Sequence, residues 1–135
     1  MHVAETYGRM ITVTAGILLE DSRVFIGKRR PLGRLPGKWE FPGGKVEEGE
    51  TPEACLKREL EEELEIEAVV GDCLGESMYG YDFGMVKVLF FRVYWGGGEI
   101  HSKDHDEYGW VPLDELKGYD FVPADRPFEI GRAHV

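Results

Sequence analysis

Five glutamates fall within the nine residues Arg58–Ile66, "RELEEELEI", and the triplet Gly43-Gly44-Lys45 lies a short way upstream. Carboxylates are hard oxygen donors, the ligand type that Mg²⁺ or Mn²⁺ takes. Paired glycines let a backbone bend sharply and approach a ligand closely, and a lysine beside them adds a charge suited to phosphate. Together these residues point to chemistry in which a small polyanion meets cations held by carboxylates. A plain turn followed by a solvated acidic helix face is the competing explanation.

The elements that must position these groups can be read from pattern. Thr51 is a favourable N-cap and Pro52 suits the first helical position, where a missing N–H costs nothing. From there "EACLKRELEEEL" contains no breaker. On a 3.6-residue wheel Leu56, Leu60 and Leu64 form one apolar stripe, while Glu59, Glu62 and Glu63 share the adjoining face. Like charges so spaced repel one another. Glu61 and Glu65 point away, towards solvent. "MITVTAGILL" and "RVFIGKR" read as two strands joined by a turn at "EDS", and "VKVLFFRVYW" as a third, closed by Gly96 to Gly98. "YGWVPL" reads as a short fourth ending at Pro112, with "LDELK" starting a helical turn and further short strands within 68–81.

The 135 residues, 42% hydrophobic and 12% aromatic, suit one compact α/β domain spanning 1–135, with no internal repeat or linker. No apolar run reaches the length of a membrane span, and "MHVAETYGRM" lacks the hydrophobic middle of a signal peptide, so a cytoplasmic location and no membrane partner are expected. Cys55 and Cys73 form no CxxC pair, which predicts two reduced cysteines, no disulfide and no zinc. A formal net charge of -10 argues against a nucleic-acid polymer as partner, because phosphate neutralisation needs clustered cations. The charge is nevertheless segregated. Lys28, Arg29, Arg30, Arg34, Lys38 and Lys45 face the single acid Glu40 between 28 and 45, and acids dominate from Glu47 to Glu67.

The full spacing is more specific than any of its parts: Gly44, five residues, Glu50, seven residues, then Arg58 to Ile66. This resembles the box of the Nudix hydrolase family, G-x5-E-x7-R-E-U-x-E-E-x-G-U, with U aliphatic. Gly44, Glu50, Arg58, Glu59, Leu60, Glu62, Glu63 and Ile66 match, and Glu65 stands where the family has glycine. A non-glycine residue in a left-handed position there would cost about 1 kcal/mol. "VTAGILL", "VFIGKRR", "GKWEFPGGKVEEGET", "VKVLFFRVYW", "DHDEYGWVPLDEL" and "VPADRP" are similar, in order and spacing, to the MutT-like branch, so the resemblance covers nearly the whole chain.

The resemblance implies a Nudix fold, a mixed β-sheet sandwiched between α-helices. It implies Mg²⁺-dependent (or Mn²⁺-dependent) hydrolysis of a nucleoside triphosphate to monophosphate and pyrophosphate. By family pattern Glu59, Glu62, Glu63 and the Gly44 carbonyl hold metal, and Asp104 occupies the place of a glutamate that binds metal or accepts a proton. Aspartate is shorter, so His105 or Asp106 are alternatives for that task, and the general base is left open among the carboxylates. Arg58 would orient a box carboxylate such as Glu50. Arg29 and Lys45 would contact phosphate, and Phe41, Tyr81 and Asp125 the base. An ionised Asp125 only accepts hydrogen bonds, which favours an exocyclic amine such as that of cytosine; a protonated one could donate to an oxidised purine. Asp125 as the N-cap of a short C-terminal helix is the structural alternative. A non-catalytic nucleotide- or protein-binding Nudix module, and hydrolysis of another nucleoside diphosphate derivative such as ADP-ribose, remain the rival functions. Monomer and homodimer both stay open.

Overall fold

The structure, a computed structural model, describes residues 10–126. The alternating apolar residues that open this region form β1 (Met10–Glu20), which turns through Asp21 and Ser22 into β2 (Arg23–Arg29). Both turn residues have positive φ, 53° and 63°, the twist that a two-residue hairpin needs. Short strands β3 (Trp39–Glu40) and β4 (Gly43–Lys45) follow, then helix α1 (Pro52–Leu64), β5 (Val69–Tyr81), β6 (Gly84–Tyr94) and β7 (His105–Pro112). Two 3-10 turns, Leu113–Gly118 and Pro123–Asp125, come after β7.

The strands make one mixed sheet in the order β3-β2-β1-β6-β5, with β4 also on β1 and β7 also on β2. β1 and β6 run parallel from Met10↔Met85 to Leu18↔Val93, and the other pairings are antiparallel. β1 bonds to β2 only beside the hairpin, at Leu19↔Val24 and Glu20↔Arg23. Nearer its start it pairs instead with β4, from Val13↔Lys45 to Ala15↔Gly43. β2 and β1 therefore part company, and the candidate site forms in the fork between them.

Period-two alternation sends neighbouring residues to opposite faces. Ile17 and Phe90 enter one apolar cluster, Leu18 and Phe91 the other. The second cluster is covered by α1 through Leu56, Leu60 and Leu64, all buried, and each such burial contributes about 2–3 kcal/mol. The first is closed by Val111 of β7 together with Leu116, Phe121 and Ala124 from the 3-10 turns and their connection. Among the described residues α1 is the helix packed on the sheet, and Arg126, the last of them, is also helical. Beyond that residue the C-terminal helix that Asp125 could cap lies outside the described residues.

Two further differences have local causes. Residues 69–81 form one long strand rather than several short ones, because register shifts near Cys73 absorb the irregularities while the apolar β6 supplies continuous pairing. The segment read as a turn around Pro42 contains β3 and β4, strands too short for periodicity to show. Cys55 is buried and Cys73 exposed, both free. No described helix is long and apolar enough to cross a membrane.

Candidate active site

The acidic helix is fixed at both ends. The Thr51 hydroxyl accepts the Ala54 N–H at 3.1 Å, the capping bond expected of that residue. At the other end Glu65 takes the left-handed conformation, φ 57° and ψ 37°, and its N–H donates to the Glu61 carbonyl. The chain thus keeps, at the cost of strain, the left-handed turn where the box it resembles has glycine, and places a carboxylate there. That carboxylate meets the Lys103 ammonium at 2.5 Å. The Lys103 N–H also donates to the Glu63 carbonyl at 3.1 Å, which delivers the next residue, Asp104, to the end of the helix.

The glycine pair is required by contact. A Cβ on Gly43 would fall 2.0 Å from the Thr14 carbonyl oxygen, and one on Gly44 would fall 2.3 Å from Cδ of Glu59. The β4 backbone therefore lies directly against β1 on one side and the Glu59 carboxylate on the other. The Gly44 carbonyl accepts from the Thr14 hydroxyl at 3.2 Å. Arg58 then aims the box acids. It grips Glu50 through Nε at 2.7 Å and Nη2 at 3.0 Å, and reaches Glu59 at 3.1 Å and Glu62 at 3.4 Å through Nη1. The bidentate Arg58 contact and the Glu47 N–H hold the Glu50 carboxyl down to about 2, and the same bonds raise Arg58 above its ordinary value. Arg58 lines neither of the two cavities beside these acids.

Two adjoining cavities share Arg29, Glu40 and Gly43. The smaller, about 310 Å³, is walled by the carboxylates Glu40, Glu59, Glu63 and Asp104, with Arg29 and Arg30 at its side. Burial raises the Glu59 carboxyl. Burial, with the negative charges of Glu40, Asp104 and Glu59, pushes the 5% exposed Glu63 up to about 9. Four acids forced together around a small polar cavity present hard oxygen donors, a set that fits a divalent ion such as Mg²⁺ or Mn²⁺. No three His, Cys, Asp or Glu side chains among the described residues are already at metal-ligating spacing, so these rotamers must draw inward around an ion.

The larger cavity, about 520 Å³, has the sequence-predicted substrate residues Arg29, Phe41, Lys45, Tyr81 and Asp125 on its wall, and Gly44 as well. Their local roles differ from simple base stacking. The Phe41 ring packs on Phe121, centroids 5.1 Å apart, and its N–H donates to Asp125 Oδ2 at 3.1 Å. Tyr81 accepts the Ala124 N–H at 2.9 Å and stacks on Phe83 at 5.0 Å, with Arg34 above the far ring at 4.1 Å.

Some expected participants stand elsewhere. Glu62 lines neither cavity, and its side chain is 62% exposed against Arg58. Asp106 is exposed on β7. His105, the other alternative, is buried at the start of β7. Glu40 went unassigned in the sequence, although its being the lone acid in a basic segment was a usable signal. One of its oxygens binds Arg29 at 2.8 Å and the other faces His105 at 2.9 Å. Phe83 carried no sequence signal and Arg34 only its place in the basic segment 28–45, because the loop and hairpin that bear them meet only in the fold.

Comparisons with known proteins bear on this arrangement. The sequence profile of the NUDIX domain matches residues 10–129. A Mycobacterium tuberculosis protein provisionally named 8-oxo-dGTP diphosphatase 2 is 41% identical over 117 residues, covering 84% of this chain and 82% of that protein. The CTP pyrophosphohydrolase of Escherichia coli is 33% identical over 119 residues, covering 88% of each. The crystal structure of a MutT protein from Methanosarcina mazei superposes with a TM-score of 0.85 at 26% identity, covering 93% of this chain and 94% of that one.

Proposed function

The chain belongs to the Nudix family, and on that premise we propose that it is a divalent-cation-dependent nucleoside triphosphate pyrophosphohydrolase, releasing a nucleoside monophosphate and pyrophosphate. The observation that carries the reading is the pairing of the two cavities across Arg29 and Glu40. A half-apolar chamber of about 520 Å³ suits a base and sugar, and the carboxylate chamber beside it suits the metal-bound phosphates. The 8-oxo-dGTP diphosphatase and CTP pyrophosphohydrolase names of the relatives support the same substrate class.

Glu59, Glu63 and Asp104 would hold the cation, with the Gly44 carbonyl beside them and Glu62 joining after a rotamer change. When bound, the cation supplies charge neutralisation at the phosphates and lowers the pKa of an attacking water. The chain's own contributions are positional. Arg58 fixes Glu59, the glycine pair lets the β4 backbone approach, and Lys45 and Arg29 face the anionic part of the substrate. Glu63, whose carboxyl burial and the neighbouring acids hold up at about 9, would serve the ion as a ligand in its carboxylate form. A binding module has no need of four acids crowded against one another at such electrostatic cost, which disfavours the non-catalytic reading.

Asp125 decides between bases. Its carboxyl lies on the wall of the larger cavity and accepts the Phe41 N–H through Oδ2; when ionised it is an acceptor and not a donor. The test is the steady-state kcat/KM with Mg²⁺ for 8-oxo-dGTP, dGTP, CTP, dCTP and 5-methyl-dCTP, with Asp125→Asn alongside. Cytosine preference that shifts towards 8-oxo-dGTP in the variant supports amine acceptance by Asp125. A wild-type preference for 8-oxo-dGTP assigns the oxidised purine and a protonated Asp125. Equal rates on all five would refute base selection in this cavity.

A further inference from the structure

His105 touches neither cavity directly, yet it is bonded to the wall between them. Its side chain is 1% exposed. Nε2 lies 2.9 Å from Glu40 Oε2, Nδ1 lies 2.6 Å from the Ser102 hydroxyl, and Nδ1 is 3.8 Å from Glu63 Oε1. A neutral ring with its proton on Nε2 satisfies both close contacts, donating to Glu40 and accepting from Ser102. Glu40 in turn holds Arg29 through its other oxygen at 2.8 Å. Ser102, Arg29, Glu40 and His105 thereby form one hydrogen-bonded chain from the 96–104 loop to the shared wall of both cavities.

The ring has its place because of a glycine. Gly27 on β2 lies beneath it, and a Cβ there would fall 2.4 Å from both Cγ and Nδ1 of His105. The backbone at Gly27 has no left-handed φ, so no conformational need for glycine exists at this strand position, where glycine weakens pairing. The close approach of the imidazole is the reason on the page for its presence.

We propose that His105, seated on Gly27, is a positioning residue: it fixes Glu40 and the loop end bearing Asp104, two walls of the carboxylate cavity. A buried hydrogen-bonded wall holds two acids at a set separation before the ion arrives, so the ion need not order them. The inference rests on the reading that this cavity takes a divalent cation, and is independent of which nucleotide is cleaved.

The experiment is a double-mutant cycle on the intact protein with Gly27→Ala and His105→Ala, read by Mn²⁺ affinity from electron paramagnetic resonance, by kcat and KM on the best nucleotide, and by Tm. Gly27→Ala alone displaces the ring without removing a donor, and is expected to weaken Mn²⁺ at least fivefold and lower kcat more than it changes KM. Added to His105→Ala, where the space is free, it should change Mn²⁺ affinity less than twofold. His105→Gln, whose amide nitrogen reaches the place of Nε2, should keep more Mn²⁺ affinity than His105→Asn, which reaches only the Ser102 side. A merely structural histidine would lower Tm and leave Mn²⁺ affinity and kcat within twofold, which overturns the proposal. So would equal effects of Gly27→Ala in both backgrounds, or a wild-type protein that binds no Mn²⁺. If Mn²⁺ binding follows the cycle as expected while no triphosphate is cleaved, the positioning role stands and the triphosphatase reading fails.

Discussion

Glu63→Gln should abolish turnover and make the metal-free protein more stable. The carboxyl is 5% exposed, and burial with the charges of Glu40, Asp104 and Glu59 moves it from 4.5 to about 9. In the unfolded chain it ionises near its ordinary value. Between those two values the folded form carries one proton more than the unfolded form, so this group's contribution is fully present below about pH 4.5 and is lost as pH rises towards 9. The loss runs at about 1.4 kcal/mol per pH unit, so it amounts to at most about 4 kcal/mol by roughly pH 7.5. The neighbouring acids share part of that titration, which brings the working figure to about 2–4 kcal/mol.

Glutamine is neutral, nearly isosteric, and keeps an oxygen for the Gly43 N–H that the carboxylate accepts. The penalty therefore disappears without a cavity. In a chain of this size a change of that order corresponds to a Tm gap on the order of 10 °C. Calorimetric unfolding in EDTA from pH 5 to 9 is the assay. The wild-type curve should fall below the variant's as pH rises, with the two close near pH 5. Saturating Mg²⁺ should raise the wild-type Tm and leave the variant's nearly unchanged. A variant less stable than wild type at pH 7.5 in EDTA, or a gap independent of pH, would refute the electrostatic account of this cavity.

Other perturbations follow from the same structure. Glu65→Gly relieves a left-handed non-glycine residue, worth about 1 kcal/mol, and removes a Lys103 ion pair whose partners are 66% and 58% exposed, worth under about 1 kcal/mol; Tm should stay level or rise by a few degrees, and a fall would mean that the ion pair outweighs the strain. Glu50→Gln breaks the bidentate Arg58 contact, so Tm should drop at pH 7. Because Glu50 is held down to about 2, its contribution is present above about 4.5 and is lost as pH falls through the folded value, and thermal scans should show the gap closing below pH 4.5. Leu60→Ala, at a fully buried position under the sheet, should cost about 2–5 kcal/mol in urea unfolding at equal m-value.

How much of this could be read from the chain depends on the range of the interaction. The α1 boundaries, Thr51 as cap and the Leu56, Leu60 and Leu64 stripe follow from local rules, and the structure reproduces them. The carboxylate face was visible for the same reason, since residues three and four apart meet on a helix. Glu62 shares that face, and its side chain turns to Arg58 and solvent. Glu40 and His105 stand 65 residues apart, and β3 is two residues long; no periodicity links such partners. Gly27 carries no local signal within its strand, since what requires it is the His105 ring beneath its missing Cβ. The long β5 was hidden by its polar and glycine-rich sequence, whose pairing is dictated by β6.

The most direct measurement follows product formation by phosphorus NMR when the wild-type protein and Glu63→Gln are each given 8-oxo-dGTP or CTP with Mg²⁺. The account predicts that wild-type protein converts at least one of them to nucleoside monophosphate and pyrophosphate, and that Glu63→Gln does not. Release of orthophosphate and nucleoside diphosphate, or equal conversion by the two proteins, would contradict it.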